Sequence, residues 1–420
     1  MSHVLLPRSE RVRPRTALLG PAHADQAIRL TVKLRRKKPI GELPRRPAVI
    51  LSHDEVAQQF GAEDADARAV IDCLTRLGLV CETPNLAART IGVHGTVAKI
   101  ERAFGVRLMR FAHAASAAGF YRGRVGNIRV PSEIANIVEG VFGLDNRPAV
   151  KPRRALRHPL DVGYALCRRP HPWFFPSELA NLYSFPPGDG YGQVVAVLEF
   201  GGGYFPGDMG VFATQAKIGL PSTRMISVDG TPTNARDGAE GEVMLDFEVL
   251  AGLLPRGNLV GLFAAWSEQG WLDALDQALH DPSVHPSVIS ISWGDSEDGG
   301  SWTPAAINQV NESLKEAALM GVTVCVAAGD DGSDDQVGDG YAHCDFPASS
   351  PYVLAVGGTT LHRNAQGAIA SEVAWHDGDG LRADGGGSTG GGVSGTFARP
   401  DWQNGVSIDS VNPGAPARWQ

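Results

Sequence analysis

The segment VVAVLEF, Val194–Phe200, decides the fold of this 420-residue chain. Its five consecutive apolar residues, Val194–Leu198, are typical of a strand that is buried on both faces of a sheet. Comparable runs follow at Asn258–Ala265, Val288–Gly294, Val322–Asp330 and Tyr352–Gly358. Patterns with helical spacing lie between them, notably around Glu242–Leu254 and at Pro304–Met320. This alternation predicts an α/β fold in which helices cover both faces of a parallel sheet.

Polar or aromatic side chains stand where three of these runs end. Glu199 is the next-to-last residue of the run Val194–Phe200, Trp293 is the next-to-last residue of Val288–Gly294, and Asp330 ends Val322–Asp330. Sites in parallel sheets form beyond the carboxyl ends of the strands. We therefore expect these residues near a functional site, although a strand-terminal aspartate such as Asp330 can also serve only to close a turn.

Two carboxylates are spaced four residues apart in the predicted helix EGEVMLDFEVLAGLLP. This spacing places Glu242 and Asp246 on one face of the helix. An exposed acidic face is one interpretation of the pair. Leu245 and Val249, however, bring the buried stripe beside Asp246, and carboxylates at the edge of a core have raised or coupled pKa values.

The chain divides at residues 147–172, a segment rich in proline and arginine without sustained periodicity. Residues 1–24 are expected to be a basic disordered tail, residues 25–146 a small α+β unit, and residues 173–420 the α/β domain. Within the small unit the pattern predicts a strand at Ala27–Leu34 and helices at Ser52–Gly61, Asp64–Leu77, Thr96–Phe104 and Pro131–Val141.

Charge is distributed unequally between the two parts. Residues 1–170 carry 29 Lys/Arg and 15 Asp/Glu, or +14, whereas residues 171–420 carry 9 and 31, or −22. The tract KLRRKKP, Lys33–Pro39, could bind nucleic acid. Attraction between the two parts is the simpler explanation, so we expect an intramolecular contact and no nucleic-acid partner.

Composition excludes several other classes. No apolar run approaches the roughly 18 residues of a membrane helix, so no membrane partner is expected. The five cysteines are too sparse and irregular for a disulfide framework or a zinc site. No secretory signal is visible at the N-terminus.

Six segments resemble, in order, motifs of the sedolisins, the serine-carboxyl peptidases. They are LEFGGGY (Leu198–Tyr204), GEVMLDFEV (Gly241–Val249), ISISWG (Ile289–Gly294), AAGDDGS (Ala327–Ser333), DFPASSPYVLAVGGT (Asp345–Thr359) and GGSTGGGVSGTFARPDWQ (Gly386–Gln403). In the small unit, GTVAKIERAFGV and VPSEIANIVEGVFGLD resemble the family's propeptide. The resemblance implies a subtilisin-like peptidase domain, a ferredoxin-like propeptide, a processing site in the linker and a polypeptide substrate.

The resemblance also implies a role for each candidate residue. Glu242 would be the general base and Asp246 would orient it. Asp330 would be the protonated acid that donates a hydrogen bond to the oxyanion, which implies activity in acid. Glu199 and Trp293 would support the carboxylate pair, and the backbone at Ser292 and Gly294 would line the substrate cleft.

The nucleophile is not expected within this chain. The sequence VSGTF at Val393–Phe397 resembles a Ser-Gly-Thr-Ser motif, but Phe397 occupies the position of the second serine. Ser394 is therefore not expected to be the nucleophile. His94 in VHGTVA imitates a subtilisin histidine, but no Asp-Thr-Gly motif precedes it, and we expect an exposed propeptide residue.

The resemblance implies that the nucleophilic serine and the calcium-binding loop lie beyond Gln420. Residues 1–420 are therefore expected to hold no metal or other cofactor. The sequence favours an acid-acting endopeptidase made as a zymogen, inactive as given. A non-catalytic remnant that binds peptides or a partner is the alternative. Secretion is implied by the resemblance alone.

Overall fold

The structure, a computed structural model, describes residues 2–14, 16–44, 47, 49–113, 118–147, 151–152, 174–377, 387–406 and 411–412. Most of the linker predicted at residues 147–172, including any processing site within it, lies outside the described residues.

The first unit carries strands β1–β9 and helices α1–α3. The strands are β1 (His3–Leu5), β2 (Leu18–Pro21), β3 (Ala27–Leu34), β4 (Val80–Cys81), β5 (Thr90–Thr96), β6 (Arg107–Ala112), β7 (Phe120–Val125), β8 (Arg129–Pro131) and β9 (Val138–Phe142). The helices are α1 (His53–Phe60), α2 (Asp64–Arg76) and α3 (Val97–Phe104). Ser52 caps α1 through a reciprocal bond with Glu55, and Thr96 caps α3.

The main sheet of this unit has the order β4-β5-β3-β9 and antiparallel pairing. Helices α1 and α2 connect β3 to β4, and α3 follows β5. This is the ferredoxin-like arrangement of a split βαβ fold. The unit has a core of its own that includes Leu30, Val32, Ile100 and Phe104, each fully buried.

Two expectations for the first unit are wrong. Pro131–Val141 is not a helix: a short 3-10 turn, Ser132–Ile134, leads into β9. The tail predicted at residues 1–24 contains β1, which pairs with β8, and β2, which pairs with β6. We call residues 3–14 the N-terminal strap. Its Leu6 and Ser9 are buried, so a high arginine content misled the prediction of disorder.

The second unit carries strands β10–β20 and helices α4–α8. The strands are β10 (Lys151–Pro152), β11 (Val194–Glu199), β12 (Ser222–Ser227), β13 (Asn258–Phe263), β14 (Val288–Ile291), β15 (Trp293–Ser296), β16 (Thr323–Ala327), β17 (Asp345–Phe346), β18 (Leu354–Val356), β19 (Thr359–Arg363) and β20 (Ile369–Ala374). The helices are α4 (Pro176–Leu182), α5 (Pro206–Ala216), α6 (Glu240–Leu253), α7 (Glu268–His280) and α8 (Pro304–Leu319).

A parallel sheet of order β12-β13-β11-β14-β16-β18 forms the centre of this unit. Residues of α7 and α8 share one buried cluster with the sheet, and residues of α5 and α6 share another. Both faces are therefore covered, which confirms the predicted α/β fold. A short antiparallel sheet, β10-β15-β17, continues from the end of β14.

The first unit docks on α7 and α8 through buried charges. Lys33 on β3 bonds to Asp276 on α7, and Arg36 bonds to Glu316 on α8. The strap adds Arg11, whose guanidinium lies 3.2 Å from Asp145 of its own unit and 2.7 Å from Glu268 of the other. The basic unit thus meets acidic helices, and the predicted intramolecular contact is confirmed.

Candidate active site

Three carboxyl groups gather at the carboxyl ends of β11 and β14. Glu199 is the last residue of β11 and has no exposed surface. Glu242 and Asp246 lie one turn apart on α6, and Glu242 is 5% exposed. The charges of Glu242 and Asp246 both act on Glu199, so the structure brings the three groups into one electrostatic cluster.

Two consecutive residues hold this cluster from the end of β14. The Ser292 hydroxyl donates a hydrogen bond to Asp246 Oδ1 at 2.8 Å. The buried indole N–H of Trp293 donates to Glu199 Oε2 at 3.0 Å. Among the described residues, Asp246 Oδ2 and Glu199 Oε1 are buried without a hydrogen-bond partner. Asp246 and Glu199 are thus each fixed through one carboxyl oxygen, and the other oxygen of each is buried.

Burial dominates the electrostatics of these acids. It raises the pKa of Glu199 well above that of an ordinary glutamate, and the neighbouring charge of Asp246 raises it further. Burial also raises the pKa of Asp246, while the hydrogen bond from Ser292 opposes that rise. The cluster consequently gains protons at a pH where isolated carboxylates stay ionised, as the spacing in the sequence predicted for Asp246.

Asp330 lies three residues after β16, at the same edge of the sheet. Its carbonyl oxygen accepts a hydrogen bond from the amide of Ser388, and the amide of Gly390 bonds to Gly329. A Cβ at Gly390 would overlap the carbonyl oxygen of Ala328, so only glycine permits this approach. The glycine-rich segment 387–397 therefore lies against the turn that carries Asp330. The carboxyl geometry of Asp330 relative to Glu242 stays a prediction.

Ser394 lies in this glycine-rich segment but serves a different carboxylate. It is fully buried, and its hydroxyl lies 2.8 and 3.0 Å from the two oxygens of Glu297. The same carboxylate accepts bonds from the amides of Gly395 and Thr396. Glu297 anchors the loop in this way. Sequence reasoning missed it, because nothing in the spacing links residues 97 positions apart.

His94, whose sequence context resembles that of a subtilisin histidine, lies on β5 of the first unit. It is exposed, and its Nε2 lies 2.5 Å from Glu82 Oε1. The expectation of an exposed residue in the first unit is confirmed.

The backbone after Ser292 accepts another strand. Lys151 of β10 pairs with Gly294, and Pro152 pairs with Trp293, in antiparallel register. Residues 151–152 of the linker segment therefore lie as an extended strand beside the residues that hold the carboxyl cluster.

Two features are absent from the described part of the chain. In that part, no group of three or more His, Cys, Asp or Glu side chains is placed to hold a metal ion. None of its helices is long and apolar enough to cross a membrane.

Comparison with known proteins places both units in one family. Residues 14–147 match the model of the pro-kumamolisin activation domain, and residues 234–402 match that of the subtilase family. Kumamolisin of Bacillus sp. (strain MN-32) is 40% identical over 98% of this chain and 76% of its own length. Tripeptidyl-peptidase sed5 of Aspergillus fumigatus is 26% identical over 97% of this chain and 75% of its own length.

A solved structure agrees. Pseudomonas sedolisin, a serine-carboxyl proteinase in complex with two molecules of pseudo-iodotyrostatin, matches with a TM-score of 0.50 and 28% sequence identity. The match covers 58% of this chain and 67% of that one. The resemblance drawn from the sequence motifs is thereby confirmed, and the chain belongs to the kumamolisin and sedolisin family of serine peptidases.

Proposed function

We propose that this chain carries the propeptide and the acid–base groups of an acid-acting serine-carboxyl endopeptidase, made as a secreted zymogen. The observation that carries the proposal is the buried cluster of Glu199, Glu242 and Asp246, with raised pKa values for Glu199 and Asp246. Buried carboxyl groups with displaced pKa values supply general bases and acids to peptidases.

In the proposed reaction, Glu242 accepts the proton of a serine hydroxyl as that oxygen attacks the peptide carbonyl. Asp246 orients Glu242 from one helical turn away. Asp330, in its neutral form, donates a hydrogen bond to the oxyanion of the tetrahedral intermediate. Glu199 and Trp293 hold Asp246 in a low-dielectric environment. Acid is required because a carboxyl group donates a hydrogen bond only while it is protonated.

We further propose that residues 1–420 by themselves do not cleave peptide bonds. Two serines within the family motifs are engaged by other carboxylates: Ser292 donates to Asp246 and Ser394 donates to Glu297. A general base acts only on a hydroxyl about 2.6–3.2 Å away. The loss of a nucleophile removes several powers of ten in rate from an acyl-transfer site.

A chimera tests the catalytic proposal. This chain is joined to the C-terminal segment of kumamolisin and assayed on a denatured protein between pH 3 and pH 7. We expect cleavage in acid that Glu242→Ala and Asp330→Ala abolish and that the exposed control Asp208→Ala retains. A chimera that folds with normal far-UV circular dichroism and cleaves equally well with Glu242→Ala would contradict the assigned roles.

A second function is favoured by the pairing of β10 with β15. A polypeptide strand in that place would bind through the backbone of Trp293 and Gly294 without being cleaved. Residues 1–420 would then bind extended peptides or a partner reversibly. Calorimetry with a denatured protein segment, run beside the cleavage assay, separates binding without turnover from catalysis.

A further inference from the structure

The hydroxyl of Ser292 has no role in the functions considered above, which use only the backbone of this residue. It donates to Asp246 Oδ1 at 2.8 Å, within the ordinary range for a hydrogen bond to a carboxylate. The next residue, Trp293, donates to Glu199. Side chains from one strand end thus bind two of the three acids in the cluster.

Asp246 has few other means of remaining ionised. The acidic groups of the cluster are Glu242 on the same helix and Glu199 on β11. The charges of Asp246 and Glu199 act on each other, so ionisation of Glu199 opposes ionisation of Asp246. Among the described residues its second oxygen, Oδ2, is buried without a partner. Burial deprives the ionised form of Asp246 of its hydration. The hydrogen bond from the Ser292 hydroxyl replaces part of that lost stabilisation.

We propose that Ser292 is a positioning residue, which acts through Asp246 by fixing the orientation of its carboxylate and favouring its ionised form. This inference rests on the proposed function, in which Asp246 orients the base Glu242. The segment 292–294 then has two functions. The backbone of Trp293 and Gly294 pairs with an extended chain. The side chains of residues 292 and 293 donate hydrogen bonds to Asp246 and Glu199. A polypeptide bound there is thereby linked directly to the carboxyl cluster.

The test measures the pKa of Asp246 in the whole chain, because that readout requires no turnover. Aspartate labelled with ¹³C at the carboxyl carbon is followed by NMR between pH 4 and pH 9, and Asp246→Asn identifies the signal. A hydrogen bond to a charged group contributes about 1.5–3 kcal/mol, so Ser292→Ala is expected to raise the pKa of Asp246 by about 1 to 2. Ser292→Thr keeps the hydroxyl and is expected to restore the wild-type titration.

Ser290→Ala is the matched control, since Ser290 lies on β14 two residues earlier. It is expected to leave the titration unchanged. An unaltered pKa of Asp246 in Ser292→Ala, or an equal shift in Ser290→Ala, would overturn the proposal.

The chimera adds a second measurement, a pH–rate profile whose acidic limb moves with Ser292→Ala and returns with Ser292→Thr. An inactive chimera would contradict the catalytic proposal and leave the titration result standing. Covalent labelling of Ser292 by a peptidyl phosphonate would overturn the positioning role, because the hydroxyl would then be a nucleophile.

Discussion

Replacing Lys33 by methionine removes the positive charge from a buried ion pair between the two units. Lys33 Nζ lies 2.9 and 2.8 Å from the two carboxylate oxygens of Asp276. The two side chains are only 1% and 8% exposed. Methionine has a similar length and no charge, so the substitution leaves the carboxylate of Asp276 buried beside an apolar neighbour.

The expected cost follows from that burial. Removing one partner of a buried ion pair costs about 3–5 kcal/mol, because the remaining charge is left without compensation. The population of the undocked state therefore rises by about two to four powers of ten, because about 1.4 kcal/mol corresponds to one power of ten. Replacing both residues, Lys33→Met with Asp276→Leu, removes the unpaired charge and is expected to recover most of the loss.

Hydrogen exchange of the amides in β3 and α7 measures the free energy of local opening in the wild type and each variant. Arg76→Met is the control, because Arg76 pairs with Glu133 on the surface, where the side chains are 55% and 45% exposed. That substitution is expected to cost no more than about 1 kcal/mol. A cost below about 1 kcal/mol for Lys33→Met, or additive losses in the double variant, would refute the argument.

Three further substitutions have outcomes fixed by the structure. Because the pKa of Glu199 is raised, the folded state binds more protons than the unfolded state, and stability falls as pH rises above the pKa of Glu199 in the unfolded chain. Glu199→Gln is therefore expected to flatten the fall in stability from pH 5 to pH 7, measured by urea unfolding. A wild-type slope in the variant would count against this.

The imidazole rings of His53 in the first unit and His285 in the second have centroids 4.2 Å apart. Burial lowers the pKa of His53, and the charge of His285 lowers it further. The docked form therefore binds fewer protons, and docking should weaken as pH falls through about 6.5, less so in His53→Gln, as read by hydrogen exchange in α1. Ser394→Ala should lower the free energy of unfolding by about 1–3 kcal/mol, because Glu297 loses a donor in a buried site. An equal loss in the exposed control Ser371→Ala would contradict it.

Long, uniform patterns were predicted well from the sequence. The strand expected at Ala27–Leu34 is β3 with the same ends, and the buried run at Val194 became the central strand β11. These segments repeat one environment along their length, so periodicity alone identifies them. The carboxyl pair on α6 was predictable for the same reason, since helical spacing places both residues on one face.

Features that depend on distant partners were not predictable. The run Val288–Gly294 predicts one strand, but β14 ends at Ile291 and β15 belongs to a separate antiparallel sheet. The apolar pattern continues through the break because both strands are buried. The Ser292–Asp246 bond and the strap could likewise be found only after the chain had brought together residues 46 or more positions apart.

The N-terminal strap imposes an order on how the chain acquires its structure. The carbonyl oxygen of Arg8 accepts a bond from the amide of Ala305, and Arg11 bonds to Ser301. Contacts separated by nearly 300 residues close very large loops and form late. The strap therefore docks only after residues 290 positions later in the chain have been synthesised, at about 5–20 residues per second. At that rate the strap waits for on the order of tens of seconds, and Arg8, Arg11 and Arg13 keep it positively charged over that interval.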